Sequence, residues 1–345
     1  MTDLWLVVLA GGVGSRFWPV STPQHPKQLL PLVTDQPLLV DTLTRIAPLA
    51  PPERTLVLTN AALVESVAAA VPTLPRAHIV AEPKPAGTAA ALAWAAHEVR
   101  RLGGDRAVMA CVHADWAVAD AEGFRTALRT AAEAADAHDA LVTVGIVPSR
   151  PDIGYGYIQP GATVAGRVRR VARFVEKPDR ATAERFVAEG YLWNSGIFAW
   201  PVRRFLAELE QHCPEVWPAL AGCGGDAGRF FGATRPIAVD VGVLERSDRV
   251  LVVPGDFGWD DVGTWAAVHR VRQRDARGNA VHGQAYLVQA KDNVVHAEGR
   301  TVVLYGVENL VVVTAPGITM VTTRERAADL KAMLAQLPPR VAERP

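Results

Sequence analysis

Over the first 150 residues, short unbroken apolar runs alternate with longer stretches of helical period. LWLVVLA (4–10), RTLVLTN (54–60), AHIVAEP (77–83), AVMACVHAD (107–115) and ALVTVGIVP (140–148) are rich in β-branched residues and predict buried strands. Between them, LVDTLTRIAPLA, AALVESVAAAV, GTAAALAWAAHEVRRLG and GFRTALRTAAEAADAH predict helices, the last with Asp120 as its N-cap. Strands that are apolar throughout and separated by helices predict an α/β fold built on a parallel sheet with helices on both faces. A glycine-rich loop follows the first strand. Open sheets of this kind bind ligands at that carboxyl edge.

From about Gly154 the pattern is more mixed. GYGYIQP, VRRVARFVEKP and WNSGIFAWP predict strands, and RATAERFVAEG a helix. After Arg277–Asn279 short apolar runs are separated by turn residues, as in GQAYLVQAKDNVVHAEGRTVVLYGVENLVVVTAPGITMVTT, followed by RAADLKAMLAQL. This predicts a small all-β module finished by a helix. The division is placed near residue 275, giving domains 1–275 and 276–345.

Composition narrows the function classes. Of 345 residues 49% are hydrophobic, enough for one large domain and a small one. Lys+Arg and Asp+Glu both number 36, so nothing favours nucleic acid or an acidic membrane surface as partner, and an anionic ligand must be met by local charge. No apolar run reaches the ~18 residues of a membrane helix. The N-terminus, with Asp3 leading into a strand and glycines, does not read as a signal peptide. Three cysteines, Cys111, Cys213 and Cys223, fit a reducing compartment better than a disulfide framework. A cytoplasmic location is expected.

The candidate chemistry lies in LAGGVGSRFWPVSTPQHPKQLLPL (9–32). It lacks the GxxxxGK[ST] string of a P-loop. Gly12 and Gly14 begin a GxGxxG dinucleotide fingerprint, but Phe17 takes the third glycine's place, and Pro19 disfavours the helix that should follow. What remains is a glycine loop with its own cations. Gly11, Gly12 and Gly14 let main-chain N–H groups approach a polyphosphate, while Arg16 and Lys27 add a planar and a compact charge. The alternative is a tight turn bearing a surface arginine.

This string resembles the GGxGxR…PK signature of the sugar-nucleotide pyrophosphorylase family, in particular its mannose-1-phosphate guanylyltransferase branch. GYGYI (154–158), FVEKPD (174–179), WNSGIF (193–198) and GWDDVGTW (258–265) extend the resemblance along the whole chain. It implies a Rossmann-like, mixed but mostly parallel sheet and a β-helix-like C-terminal domain. That domain would pack on the catalytic one or form a homodimer contact. The implied reaction joins GTP and mannose 1-phosphate to give GDP-mannose and pyrophosphate. The nucleophile is already an anion, so alignment and charge neutralisation take the place of a strong base. The resemblance makes Arg16 and Lys27 catalytic and, with Gly11, Gly12, Gly14, Glu82 and Thr88, nucleotide-binding. It makes Asp115 and Asp261, rather than Asp260, ligands of Mg2+. Gly156, Glu176, Lys177 and Asn194 would hold the sugar phosphate. On a strand the adjacent Glu176 and Lys177 point to opposite faces; in one arrangement Glu176 accepts from sugar hydroxyls and Lys177 reaches the phosphate from a turned backbone, while Pro178 biases Lys177 towards an extended conformation.

Four positions depart from the family's pattern. Ala86-Gly87 replaces Arg-Asn, Trp116 replaces a histidine, and Val241 replaces an aromatic residue. Another nucleotide, another hexose 1-phosphate, or a regulator that binds without turnover therefore remain as alternatives. Trp193, Trp200, Trp259 and Trp265 read as core.

Overall fold

The structure, a computed structural model, describes residues 3–12 and 14–342. The chain divides into two compact units. One comprises Met1–Gly11, Arg45–His113 and Asp120–Phe257; the other comprises Gly12–Thr44, Ala114–Ala119 and Gly258–Pro345.

The first unit contains β1 (Leu4–Leu9), β2 (Thr55–Asn60), β3 (Ile79–Glu82) and β4 (Val108–His113). After β5 (Ala117–Val118), which belongs to the second unit, it continues with β6 (Leu141–Ile146), β7 (Tyr157–Ala165), β8 (Val168–Val175), β9 (Leu192–Pro201) and β10 (Val250–Gly255). These form one nine-stranded sheet in the order β3-β2-β1-β4-β9-β6-β10-β8-β7. The pairings among β1–β4 and between β6 and β10 are parallel, as the alternation of strands and helices predicts. β9 is antiparallel to both β4 and β6, and β8 is antiparallel to β10 and β7. The sheet is thus mixed, as the family resemblance implies, where the apolar runs alone predicted a parallel one. The reason is visible at Gly166, where β7 and β8 are joined by a turn too short for a parallel crossover.

The helix Gly87–Gly103 lies against this sheet through an alanine face. Ala89, Ala90, Ala93, Ala95 and Ala96 are all fully buried, and their small side chains let backbone approach backbone. The helix Ala121–His138 starts as expected at Asp120, whose carboxylate accepts from the N–H groups of Glu122 and Gly123, both at 3.0 Å. None of the described helices is long and apolar enough to cross a membrane.

The second unit pairs β5 with β11 (Trp259–Asp260) and carries a four-stranded sheet, β12 (Ala280–Val288), β13 (Val294–Tyr305), β14 (Leu310–Ala315) and β15 (Ile318–Thr323). β12, β13 and β14 are parallel neighbours although no helix separates them, and β15 closes the sheet antiparallel. The coil repeats through asparagine. In GNAVH, DNVVH and ENLVV, residues Asn279, Asn293 and Asn309 fall at matching turn positions. The buried Asn279 and Asn293 are stacked, the side-chain amide of Asn293 donating to Asn279 Oδ1 (3.0 Å) and to the carbonyl of Val307 (3.2 Å). Asn293 Oδ1 in turn accepts from Leu310 N at 2.9 Å. His282 and His296 follow at matching positions with their rings stacked, centroids 4.5 Å apart. The helix expected at the end is two short ones, Leu330–Leu334 and Pro339–Ala342.

One of the unit's apolar clusters joins distant sequence. Phe17, Trp18, Leu30 and Leu32 cluster with Val262, Trp265, Val294, Val311 and Val313. Trp265 stands edge-on to Phe17 at 5.2 Å and donates its indole N–H to the carbonyl of Trp18 at 3.2 Å.

Asn293→Ala removes one member of the stacked asparagine pair and strands the groups it serves, Asn279 Oδ1, the Val307 carbonyl and Leu310 N. It is expected to lower unfolding free energy by on the order of 3 kcal/mol, read by urea denaturation. A loss below about 0.5 kcal/mol would mean that the stack is not a structural support.

Candidate active site

β1 and β4 are parallel neighbours with Leu9 opposite His113. The glycine loop and the segment holding Asp115 therefore begin at the same sheet edge. Within the second unit they are joined by Lys27. This side chain, 6% exposed, opens a 3-10 turn (Lys27–Leu29) after Pro26. Its ammonium donates to Asp115 Oδ2 at 3.0 Å and to the main-chain carbonyl of Asp261 at 2.6 Å, and it sits 5.9 Å from the centre of the Phe17 ring. A cation this deeply buried is tolerated only when paired. Gly14 makes room for it. Its φ is 65°, and a Cβ there would run into the side chain and main chain of Lys27.

The carbonyl of Asp261 is presented by a strained turn. Val262, fully buried and β-branched, has φ 48°, an outlier for such a residue. Asp260 holds the turn, with Oδ1 accepting from Val262 N at 2.9 Å and Oδ2 paired with Arg270 at 2.8 Å. Gly263 completes it. A Cβ on Gly263 would lie 3.0 Å from Asp261 Oδ2 and 3.3 Å from Arg16 Nη1, so an exposed guanidinium and a carboxylate flank the same glycine. Arg16, Lys27, Asp115 and Asp261 are thus brought together, and Asp260 braces them. Trp116 packs edge-on to Trp259 with centroids 5.8 Å apart, which makes it a packing residue. Trp193, Trp200, Trp259 and Trp265 are buried as expected.

The first unit holds the other candidates. Glu82 ends β3. A Cβ on Gly11 would lie 3.3 Å from its Oε1, while one on Gly12, in the second unit, would meet nothing within 4 Å. Burial pushes the Glu82 carboxyl up to about 7. The Thr88 hydroxyl accepts from Val239 N at 2.9 Å, so it is engaged with the main chain. Asn194 N donates to the Gly156 carbonyl at 2.8 Å, and a Cβ on Gly156 would lie 2.5 Å from Glu176 Oε2, so Gly156, Glu176 and Asn194 share one place. The amide of Asn194 also donates to Asp240 Oδ1 at 2.7 Å. Burial raises the pKa of Asp240, opposed by that hydrogen bond, and Asp240 begins a π-helical turn, Asp240–Leu244. Asp240 was given no role by the sequence. Nothing local in the sequence points to its pairing with Asn194.

One expectation is corrected. β8 ends at Val175, and Lys177 has φ 43° rather than the extended backbone expected before Pro178. Glu176 and Lys177 do not point apart: the ammonium of Lys177 pairs with Glu176 Oε1. Both are exposed, and the chain bends here between the end of β8 and the helix Arg180–Ala188 that Asp179 caps, a connection that overrides the local bias of proline.

The residues fit a divalent ion of the magnesium type. Among the described residues no group of three or more His, Cys, Asp or Glu side chains could cage a metal alone. The Asp115 carboxylate and the main-chain carbonyl of Asp261 meet at the Lys27 ammonium, and the Asp261 carboxylate lies beside Gly263, two residues further on; one or two carboxylates completed by phosphate and water are the donor set that Mg2+ accepts.

Burial of Glu82 has a consequence for stability. A carboxyl whose folded pKa is raised adds stability below its ordinary range, and that stability is lost as pH rises through about 7. Glu82→Gln is therefore expected to melt like wild type near pH 4.5 but to exceed it at pH 8, by at most ~3 kcal/mol. Parallel melting curves at both pH values would contradict this burial.

Residues 6–278 match the family model "Nucleotidyl transferase", and residues 283–337 match "MannoseP isomerase/GMP-like beta-helix domain". The chain is 37% identical to the xanthan biosynthesis protein XanB of Xanthomonas campestris pv. campestris (strain B100), over 98% of this chain and 74% of that protein. It is 36% identical to the mannose-1-phosphate guanylyltransferase of Escherichia coli (strain K12), over 97% and 74%. A solved structure from Thermus thermophilus, described as a mannose-1-phosphate geranyltransferase, superposes with a TM-score of 0.89 at 34% identity, covering 97% of this chain and 99% of that one. By the family match, by these identities and by the fold, the chain belongs to the nucleotidyl transferase family.

Proposed function

We propose that the protein transfers GMP from GTP to α-D-mannose 1-phosphate, releasing pyrophosphate and GDP-mannose. The observation that carries the reading is the convergence of Arg16, Lys27, Asp115 and Asp261, drawn from three separate chain segments. It is supported by the 36% identity to the Escherichia coli mannose-1-phosphate guanylyltransferase over nearly the whole chain. In this reading residues 1–275 form the catalytic domain and 276–345 the β-rich one.

Each group has a task. The main chain at Gly11, Gly12 and Gly14 and the guanidinium of Arg16 take the triphosphate. Lys27 neutralises charge beside the leaving pyrophosphate while keeping Asp115 and Asp261 in register. Arg16, Lys27 and Arg270 stand against Asp115, Asp260 and Asp261, so this place has no formal surplus of positive charge for a polyanion. Asp115 and Asp261 would hold Mg2+, which when bound supplies the missing positive charge. Glu82, as a carboxylate, accepts from the base, and Thr88 fixes the main chain beside it. Gly156, Glu176, Lys177 and Asn194 bind the sugar phosphate, Asn194 having both donor and acceptor for a hydroxyl. Attack of the sugar phosphate oxygen at the α-phosphorus needs no separate strong base.

Pyrophosphate release is to be measured over a matrix of nucleoside triphosphates and hexose 1-phosphates, with Mg2+ and with chelator. Turnover is expected with GTP and mannose 1-phosphate and is abolished by chelation. No turnover for any pair would defeat the enzymatic reading, and turnover with UTP or dTTP alone would leave only the guanylyl assignment refuted. Lys27→Ala and Asp261→Ala are each expected to lower kcat by about 100-fold or more with folding retained. Wild-type rates in either would refute its role.

A further inference from the structure

One side chain outside these assignments links the loop that carries Gly156 to the strand that carries Asn194, both in the first unit. Arg150 lies between β6 and β7, half-buried. Its guanidinium forms an ion pair with Asp152, Nη2 at 2.9 Å and Nε at 3.0 Å from Oδ2, and donates from Nη2 to the Tyr155 hydroxyl at 3.2 Å. The same group lies over two aromatic rings, 5.8 Å from the centre of Tyr155 and 5.1 Å from that of Trp193. Tyr155 meets Trp193 edge-on at 5.0 Å. Asp152 in turn caps the loop: Oδ1 accepts from Gly154 N and its carbonyl accepts from the Tyr157 hydroxyl, each at 2.9 Å.

These contacts converge where the sugar residues stand. Trp193 precedes Asn194, Tyr155 precedes Gly156, and Asn194 N is bonded to the Gly156 carbonyl. The loop has little burial to hold it, since Val147 is 42% and Ile153 54% exposed. Ordering a loop of this length without a core costs roughly 1 kcal/mol or more per residue in backbone entropy. A single planar cation that serves a carboxylate, a hydroxyl and two rings at once is suited to offset that cost. A lone exposed ion pair would not.

We propose that Arg150 is a positioning residue for the sugar 1-phosphate, holding the 150–156 loop against Trp193 so that Gly156 and Asn194 meet the hexose in one fixed arrangement. The inference rests on the reading that Gly156, Glu176 and Asn194 bind the sugar. It predicts an effect on one substrate only: free loop motion would weaken ground-state and transition-state binding of the sugar alike, raising its KM with little change in kcat.

The test is steady-state pyrophosphate release with GTP and mannose 1-phosphate for Arg150→Met, Arg150→Lys and Asn194→Ala, each checked by thermal melting. Arg150→Met is expected to raise the KM for mannose 1-phosphate at least tenfold while the KM for GTP stays within twofold. Arg150→Lys keeps the charge but not the planar fork, and it is expected to recover only part of that loss. If Asn194→Ala raises the sugar KM and neither Arg150 variant does, the positioning role is overturned. Equal shifts in both KM values would also overturn it, since they would report general loosening. A wild-type sugar KM in Asn194→Ala would instead remove the sugar-site reading, and the proposal with it.

Discussion

The buried ammonium of Lys27 is the constraint on which the candidate centre depends. A charge withdrawn from water must be matched, and here it is matched by a carboxylate 88 residues away and a carbonyl 234 residues away. Other local features follow from that requirement. Gly14 lacks a side chain because Lys27 fills the space. Val262 is held at a positive φ because the carbonyl before it has to face the ammonium, and Asp260 with Arg270 braces that turn. The strain is stored where the chemistry is proposed to occur.

The same logic explains the place of the β-rich tail. Val294, Val311 and Val313 lie in one apolar cluster with Phe17, Trp18 and Leu30, and Trp265 bonds to the Trp18 carbonyl. The strands that supply these valines are held in register by buried Asn279 and Asn293. The segment from Arg16 to Lys27 therefore rests on side chains more than 240 residues further along the chain. A loop proposed to take a triphosphate needs its groups held in a fixed geometry, and the asparagine-registered strands supply that support.

Legibility from sequence followed the range of each signal. Unbroken apolar runs located β1 to β4 and β6, and the alanine-rich stretch coincided with its helix from Gly87 to Gly103, since these signals are local. The directions of β8 and β9 were not read, because direction depends on which strand each one pairs with. The repeat GNAVH, DNVVH, ENLVV was not read from the sequence, as the spacing of its asparagines changes between turns. The motif residues Arg16, Lys27, Asp115 and Asp261 were identified by resemblance, whereas nothing in the sequence showed that Lys27 pairs with Asp115. Arg150 was missed for a similar reason: its partners Tyr155 and Trp193 acquire meaning only once β7 and β9 pair.

The departure at Ala86-Gly87 bears on the base assignment, and its environment limits what it can change. Gly87 has φ 81°, and a Cβ there would collide with the main chain of Ile237. Ala89 N donates to the Ile237 carbonyl at 3.2 Å and Val239 N to the Thr88 hydroxyl. The main chain of Ile237 occupies the space that a side chain at position 87 would need, so the glycine goes with a close main-chain approach. That approach is confined to residues 86–89 and 237–239. Glu82 lies before it, at the end of β3 and beside Gly11, where the register of β3 on β2 sets its position. The group proposed to read the base is therefore fixed by the sheet, and the altered pair changes only the chain that follows it.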